Sequence, residues 1–149
     1  MNSTIETVVI GAGQAGLATG YHLQKLGRSF VILDGNARVG DQWRAQWDTL
    51  RLFTPAKYDG LPGLPFPGDR WNYPGKDEVA DYLDAYASQF DLPIRLGRRV
   101  TSVRRDGDGG FVVDTSDETF PTRRVVVASG GFTGPAIPGF AGRLGTDVV

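Results

Sequence analysis

The stretch from Val8 to Asp34, VVIGAGQAGLATGYHLQKLGRSFVILD, leaves few folds open. Val8, Val9 and Ile10 read as a buried strand, and Gly11, Gly13 and Gly16 as a tight turn. An amphipathic helix follows, with Gly20, Leu23 and Leu26 along its sheet-facing stripe and Gly27 at its end. Phe30 and Ile32 then alternate through a second strand that ends in Asp34. The spacing suits a dinucleotide. Gly11 turns the chain sharply off the strand, and Gly13 has no Cβ to hold a pyrophosphate away. Gly16 lets the helix sit close to the sheet, and the helix N-terminus offers free N–H groups to phosphate. A carboxylate at Asp34 would accept the hydroxyls of an adenosine ribose. The bland alternative is a βαβ turn that binds nothing. The filled-in context around the glycines favours the ligand. With no arginine directly beside Asp34, a free ribose 2′-OH (FAD or NAD) is favoured over a 2′-phosphate. Arg38 keeps NADP as the lesser option.

Composition narrows the chemistry. One domain is the expectation for 149 residues. A net charge of −1 without a long basic run argues against nucleic acid or an anionic membrane as the main partner. The absence of cysteine removes disulfides, thiolate nucleophiles and cysteine–zinc sites. The one histidine, His22, falls on the solvent side of the first helix, so serine–histidine chemistry and multi-histidine metal sites are not expected. The first strand begins too early for a signal peptide, and no apolar run approaches the roughly 20 residues of a membrane span. A cytoplasmic protein without a metal is the expectation.

Beyond Asp34 the texture changes. From Trp43 to Pro74 the chain is crowded with aromatic residues and prolines, too broken for a long helix and too aromatic for a disordered linker. A short helical turn near Gln42–Gln46 and then an irregular layer over sheet and ligand are expected. Asp77 to Phe90 reads as a helix with Val79, Tyr82, Leu83, Tyr86, Ala87 and Phe90 on one face and Asp77 as N-cap. Its tyrosines read as packing. Strands follow at Ile94–Leu96, Val100–Arg105, Phe111–Thr115 and Glu118–Phe120, with turns at Asp106–Gly110 and Ser116–Asp117. This pattern suggests an antiparallel meander on the edge of the parallel sheet. Val125–Ala128 suits a central parallel strand ending in the small-residue turn Ser129-Gly130-Gly131. The proline-rich segment from Phe132 to Gly139 should be extended.

Four features, in this order, resemble the FAD-binding half of the flavin-containing monooxygenase superfamily. They are GAGQAG with Asp34; Gly40-Asp41-Gln42-Trp43; Leu50-Arg51-Leu52-Phe53-Thr54-Pro55 with Leu64-Pro65-Phe66-Pro67; and Val126-Val127-Ala128-Ser129-Gly130 with Pro135 and Pro138. The resemblance implies an α/β, Rossmann-like parallel sheet with an antiparallel β-meander. It assigns the pyrophosphate to Gly11, Gly13, Gln14, Ala15 and Gly16, and the adenosine ribose to Asp34. Gln42 and Trp43 would flank the ribityl chain and ring, with Gly40 also among the cofactor-binding residues. Thr54 would approach the flavin edge, and the backbone of Val100 would face the adenine. Ala128, Ser129 and Gly130 would close over phosphates and ribose. Asp34 stands where the family usually has glutamate, and Ser129 where it has threonine.

The implied activity is that of an FAD-dependent oxidoreductase using NADPH, one that oxygenates small molecules through a flavin C4a-(hydro)peroxide. Family members continue into a second nucleotide-binding domain for NADPH. No second glycine fingerprint occurs here, so residues 1–149 are expected to be the N-terminal portion of an FAD domain, incomplete relative to the family and inactive alone. No residue reads as a general base or nucleophile of its own. Two other readings stay open: a non-catalytic dinucleotide-binding module needing a partner chain, and an NAD-dependent Rossmann dehydrogenase. An exposed sheet edge would invite a homodimer or a completing partner.

Overall fold

In a computed structural model, which describes residues 5–131, 134 and 136–145, the chain forms three layers. The middle layer is a four-stranded parallel sheet of β1 (Thr7–Ile10), β2 (Phe30–Leu33), β3 (Ile94–Arg95) and β7 (Arg124–Val127) in the order β3-β2-β1-β7. Val9 lies opposite Ile32 and Val126, which fixes the register. On one face lie the helices α1 (Gln14–Lys25), α2 (Asp41–Arg44) and α3 (Lys76–Gln89). On the other lies an antiparallel sheet of β4 (Val100–Arg105), β5 (Phe111–Thr115) and β6 (Thr119–Thr122).

Alternation along β1 and β2 builds both interfaces, since successive side chains leave opposite faces of a strand. Val9 and Ile32 join Leu17, Val79, Leu83 and Tyr86 on the helix side. Val8, Val31 and Leu33 join Val113 and Phe120 on the other. The meander therefore stacks on the face of the parallel sheet as a separate sheet, and does not extend its edge. Phe120 and Val113 carry the apolar surface that holds it there. The strand expected to be central, β7, is outermost among the described residues, with Val127 71% exposed.

Three local expectations shift. Leu26 leaves the apolar stripe and is 71% exposed, because α1 ends at Lys25 and the left-handed Gly27 turns the chain outward. Gly75, not Asp77, is the N-cap of α3. The Glu78 carboxylate accepts the Gly75 N–H at 2.8 Å and closes the first turn. Strand β6 runs two residues past Phe120, to Thr122. His22 is exposed, as expected. Pro135 and the rest of Phe132–Gly139 that matter to the fourth motif lie partly outside the described residues. No described helix is long and apolar enough to cross a membrane.

The tyrosines of α3 hold the proline-rich layer as well as the core. Tyr82 Oη accepts the Leu61 N–H at 2.6 Å and donates to the Leu64 carbonyl at 2.7 Å. Tyr86 Oη donates to the Pro62 carbonyl at 2.6 Å. Burial, with the neighbouring Tyr82 and Tyr21 rings adding to it, pushes the Tyr86 phenol up to about 12 from its ordinary 10.0. The charged form of tyrosine is the phenolate, so a raised folded value stabilises the fold below pH 10.0, and that contribution is lost as pH rises toward 12. Tyr86→Phe should cost about 1–2 kcal/mol at neutral pH by orphaning the Pro62 carbonyl. The gap between variant and wild type should narrow at about pH 11, as read from urea midpoints at the two pH values.

Candidate functional site

The glycine turn sits at the carboxyl ends of β1 and β7, where open α/β sheets bind ligands. Gly11 has a φ of 105°, its N–H donates to the Leu33 carbonyl at 2.8 Å, and the Ala128 N–H donates to the Ile10 carbonyl at 2.8 Å. A Cβ on Gly11 would stand 2.4 Å from the Ala128 oxygen. The two small-residue turns are thus seated directly on each other, which brings Ala128, with Ser129 and Gly130 next in the chain, to the glycine loop.

Gly16 serves a different contact. Its Cβ would fall 1.8 Å from the Gly11 carbonyl oxygen, so α1 rests on the strand it follows. Gly13 meets nothing. A Cβ there has no heavy atom within 4 Å, and the φ of −82° is open to any residue. Nothing within the protein requires glycine at 13. The requirement comes from the space outside it. No side chain caps α1 at Gly13 and no acid lies in its first turn, so the N–H groups around exposed Gln14 and Ala15 face that space.

Asp34 closes the other side. Its Oδ2 accepts the Ala12 N–H at 2.7 Å, and its Oδ1 accepts the Asn36 N–H at 2.8 Å in an Asx turn. The carboxylate is therefore fixed at the mouth of the glycine loop. A carboxylate has about four acceptor positions, so two remain for the hydroxyls of a ribose. Arg38 is drawn toward Asp41, its Nε donating to Asp41 Oδ1 at 3.1 Å and its backbone N–H to Asp41 Oδ2 at 3.1 Å.

The other expected residues lie on α2, on the loop that carries Thr54 and at the start of β4. Gly40, left-handed with a φ of 86°, presses on Ala80 of α3 and starts α2. Gln42 and Trp43 lie on α2, Gln42 exposed and Trp43 half-buried against the helix-side core. Arg44 and Lys76 fix that short helix. Arg44 donates to the Val39 carbonyl at 2.8 Å and to Asp81 at 2.9 Å. Lys76 donates to the Arg44 and Gln46 carbonyls at 3.1 and 2.8 Å. Thr54 is exposed beside Phe53, which is 95% exposed, and its hydroxyl donates to Asp59. Val100 opens β4, half-buried on the meander-side core. Among the described residues, no group of three or more His, Cys, Asp or Glu side chains could hold a metal ion.

Sequence reasoning missed three contacts: the Asn36 N–H that orients Asp34, the Asp59 that holds Thr54, and the Arg99 side chain that lies over Gly35. The first had a signal, since an aspartate two residues before a free N–H is an Asx turn in waiting.

Comparison with known proteins follows the same lines. The model of the pyridine nucleotide-disulphide oxidoreductase family matches residues 8–148. The CzcO-like oxidoreductase of Geobacillus kaustophilus is 45% identical over 148 residues, which are 99% of this chain and 42% of its own length. The probable indole-3-pyruvate monooxygenase YUCCA1 of Arabidopsis thaliana is 35% identical over 139 residues, 91% of this chain and 34% of its own. The solved flavin-containing monooxygenase from Stenotrophomonas maltophilia superposes with a TM-score of 0.78 at 36% identity, covering 85% of this chain and 38% of that one. The resemblance drawn from the four motifs is thus matched in both sequence and structure. The chain spans about two fifths of the length of the first of these relatives.

Proposed function

The chain belongs to the pyridine nucleotide-disulphide oxidoreductase family, and on that premise we propose that residues 1–149 form the FAD-binding portion of an NADPH-dependent flavin monooxygenase acting on a small molecule. The observation that carries the reading is the unexplained space above Gly13, bounded by the uncapped start of α1 and by the fixed carboxylate of Asp34. A pyrophosphate fits that space and that charge, and a ribose diol fits the remaining lone pairs of Asp34.

In this reading Gly11, Gly13, Gln14, Ala15 and Gly16 present backbone to the pyrophosphate. Asp34 orients the adenosine ribose, the Val100 backbone faces adenine, and Ala128, Ser129 and Gly130 close over the phosphates. Gln42 and Trp43, held by the Arg44 and Lys76 contacts, flank the ribityl chain and ring, and Thr54 is held toward the ring edge by Asp59. FAD held by these residues would supply the redox chemistry, accepting hydride equivalents from NADPH and activating oxygen. The protein's own part is position and exclusion of water. No proton transfer is assigned to a side chain.

The same reading puts the protein in the cytoplasm. The outer side of β7, unpaired among the described residues and carrying exposed Val127, favours completion by a further segment or a second copy. Light scattering tests the second copy, and a monodisperse monomer would count against it. The cofactor assignment is tested by titrating purified protein with FAD and with NAD and following flavin fluorescence and nicotinamide binding. Retention of yellow flavin supports it. A colourless protein that binds NAD and not FAD would favour the dehydrogenase reading.

A further inference from the structure

Against the turn that carries the ribose acceptor lies a cation that the protein does not use, Arg99 of the β3–β4 connection. Arg95 ends β3, and Arg98 and Arg99 lie between β3 and β4. Arg95 donates to Glu118 at 2.7 Å, and Arg98 pairs with Asp117 at 3.2 Å and with Glu118 at 3.7 Å. These two consume the neighbouring carboxylates. Arg99 is exposed and makes no hydrogen bond or ion pair among the described residues, yet its side chain does not extend straight outward. Its Cζ and Nη2 lie 3.1 and 3.2 Å from where a Cβ on Gly35 would be, so the guanidinium is folded back over the residue that follows Asp34.

The backbone holds it there. The Arg98 N–H donates to the Asp34 carbonyl at 2.8 Å, and the Gly97 N–H to the Asn36 carbonyl at 2.9 Å. Gly35 has no positive φ, and the nearest atoms a side chain there would meet are those of Arg99. A guanidinium placed beside a ribose acceptor has two uses: pairing with a 2′-phosphate, or lying flat on the purine. Asp34 argues against the first, because its carboxylate, oriented by Ala12 and Asn36, would repel a phosphate on the same ribose. A planar, weakly hydrated cation next to an aromatic base favours the second.

We propose that Arg99 is a specificity-determining binding residue whose guanidinium stacks on the adenine of the bound dinucleotide, with Gly35 as the gap that lets it do so. The inference rests on the FAD reading above and adds the base-recognising contact to it.

The test compares ADP, UDP and adenosine 2′,5′-bisphosphate binding to the full chain by calorimetry, in wild type, Arg99→Ala and Gly35→Ala. Arg99→Ala should weaken ADP about tenfold, within the range of an aromatic–cation contact, while leaving UDP nearly unchanged and so erasing the preference for adenine. Gly35→Ala should copy this effect without altering the melting temperature, since the nearest atoms to its methyl all belong to the Arg99 side chain. An equal loss for ADP and UDP would assign Arg99 to the phosphates and overturn the proposal. A larger loss for the 2′,5′-bisphosphate than for ADP would assign it to a 2′-phosphate and do the same. Unchanged ADP affinity in both variants would overturn the stacking contact alone. Wild-type protein that binds neither ADP nor FAD would overturn the cofactor reading, and this inference with it.

Discussion

Gly13→Val should yield a folded protein that no longer binds FAD. The φ of −82° and extended ψ of −172° at Gly13 are ordinary for valine, and the added carbons meet no protein atom within 4 Å of the Cβ. The Leu17 N–H keeps its bond to the Gly13 carbonyl at 2.9 Å, so the first turn of α1 closes as before. The cost to stability is that of a poorer N-cap, about 1 kcal/mol. The cost to the ligand is far larger. Two branched methyls would occupy the approach to the α1 N–H groups, and losing two charge-assisted hydrogen bonds at about 1.5–3 kcal/mol each weakens binding by at least about 100-fold. Circular dichroism should overlay on wild type while flavin fluorescence titration shows no saturation. Undiminished FAD retention would contradict the site.

Gly16→Ala, three residues on, should fail in the opposite way. Helix propensity favours alanine over glycine by about 1 kcal/mol, so an exposed site would gain stability. Here the methyl lands 1.8 Å from the Gly11 oxygen and 2.9 Å from its carbon, both backbone atoms that no rotamer change can move. Helix α1 would have to withdraw from β1, opening the contact between Leu17 and Val9. Overpacking strain of about 3 kcal/mol or more outweighs the propensity gain. A net loss near 2–3 kcal/mol lowers the melting temperature of a chain this size by roughly 5–10 °C. Gly20→Ala provides the control. Its nearest neighbours, at 2.8 and 3.2 Å, are the side-chain ends of Ile32 and Phe30, which can yield. A Gly16→Ala protein as stable as wild type would refute the close seating of helix on strand.

These two glycines also show what a sequence makes legible. The β1–α1–β2 unit, its turn and the place of Asp34 follow from local spacing, because strand, turn and helix are each decided within a few residues. The same holds for α3 and for the meander strands, whose ends shift by only a few residues. Where the meander sits was not legible. Alternation shows that β5 buries one face, but only the contact of Val113 and Phe120 with Val8, Val31 and Leu33 decides that the partner is a sheet face and not a sheet edge. Leu26 misled for a related reason, since helical periodicity continues past the residue where Gly27 redirects the chain. Within the site, the glycines and the acid announce themselves. Residues that act on them through space do not. Arg99 reaches Gly35 from a loop more than sixty positions away, and Asp59 reaches Thr54 across a turn no propensity specifies.

The phenols of Tyr82 and Tyr86 have a consequence for how such a protein diversifies. Each hangs the 61–64 loop from a helix that itself contributes none of the residues assigned to the cofactor. A single change on the buried side of that helix is therefore transmitted to the 61–64 loop without touching a residue assigned to the cofactor. In the proposed flavin reading that layer can be adjusted from a distance, and variant screens confined to cofactor-contacting residues will pass it by.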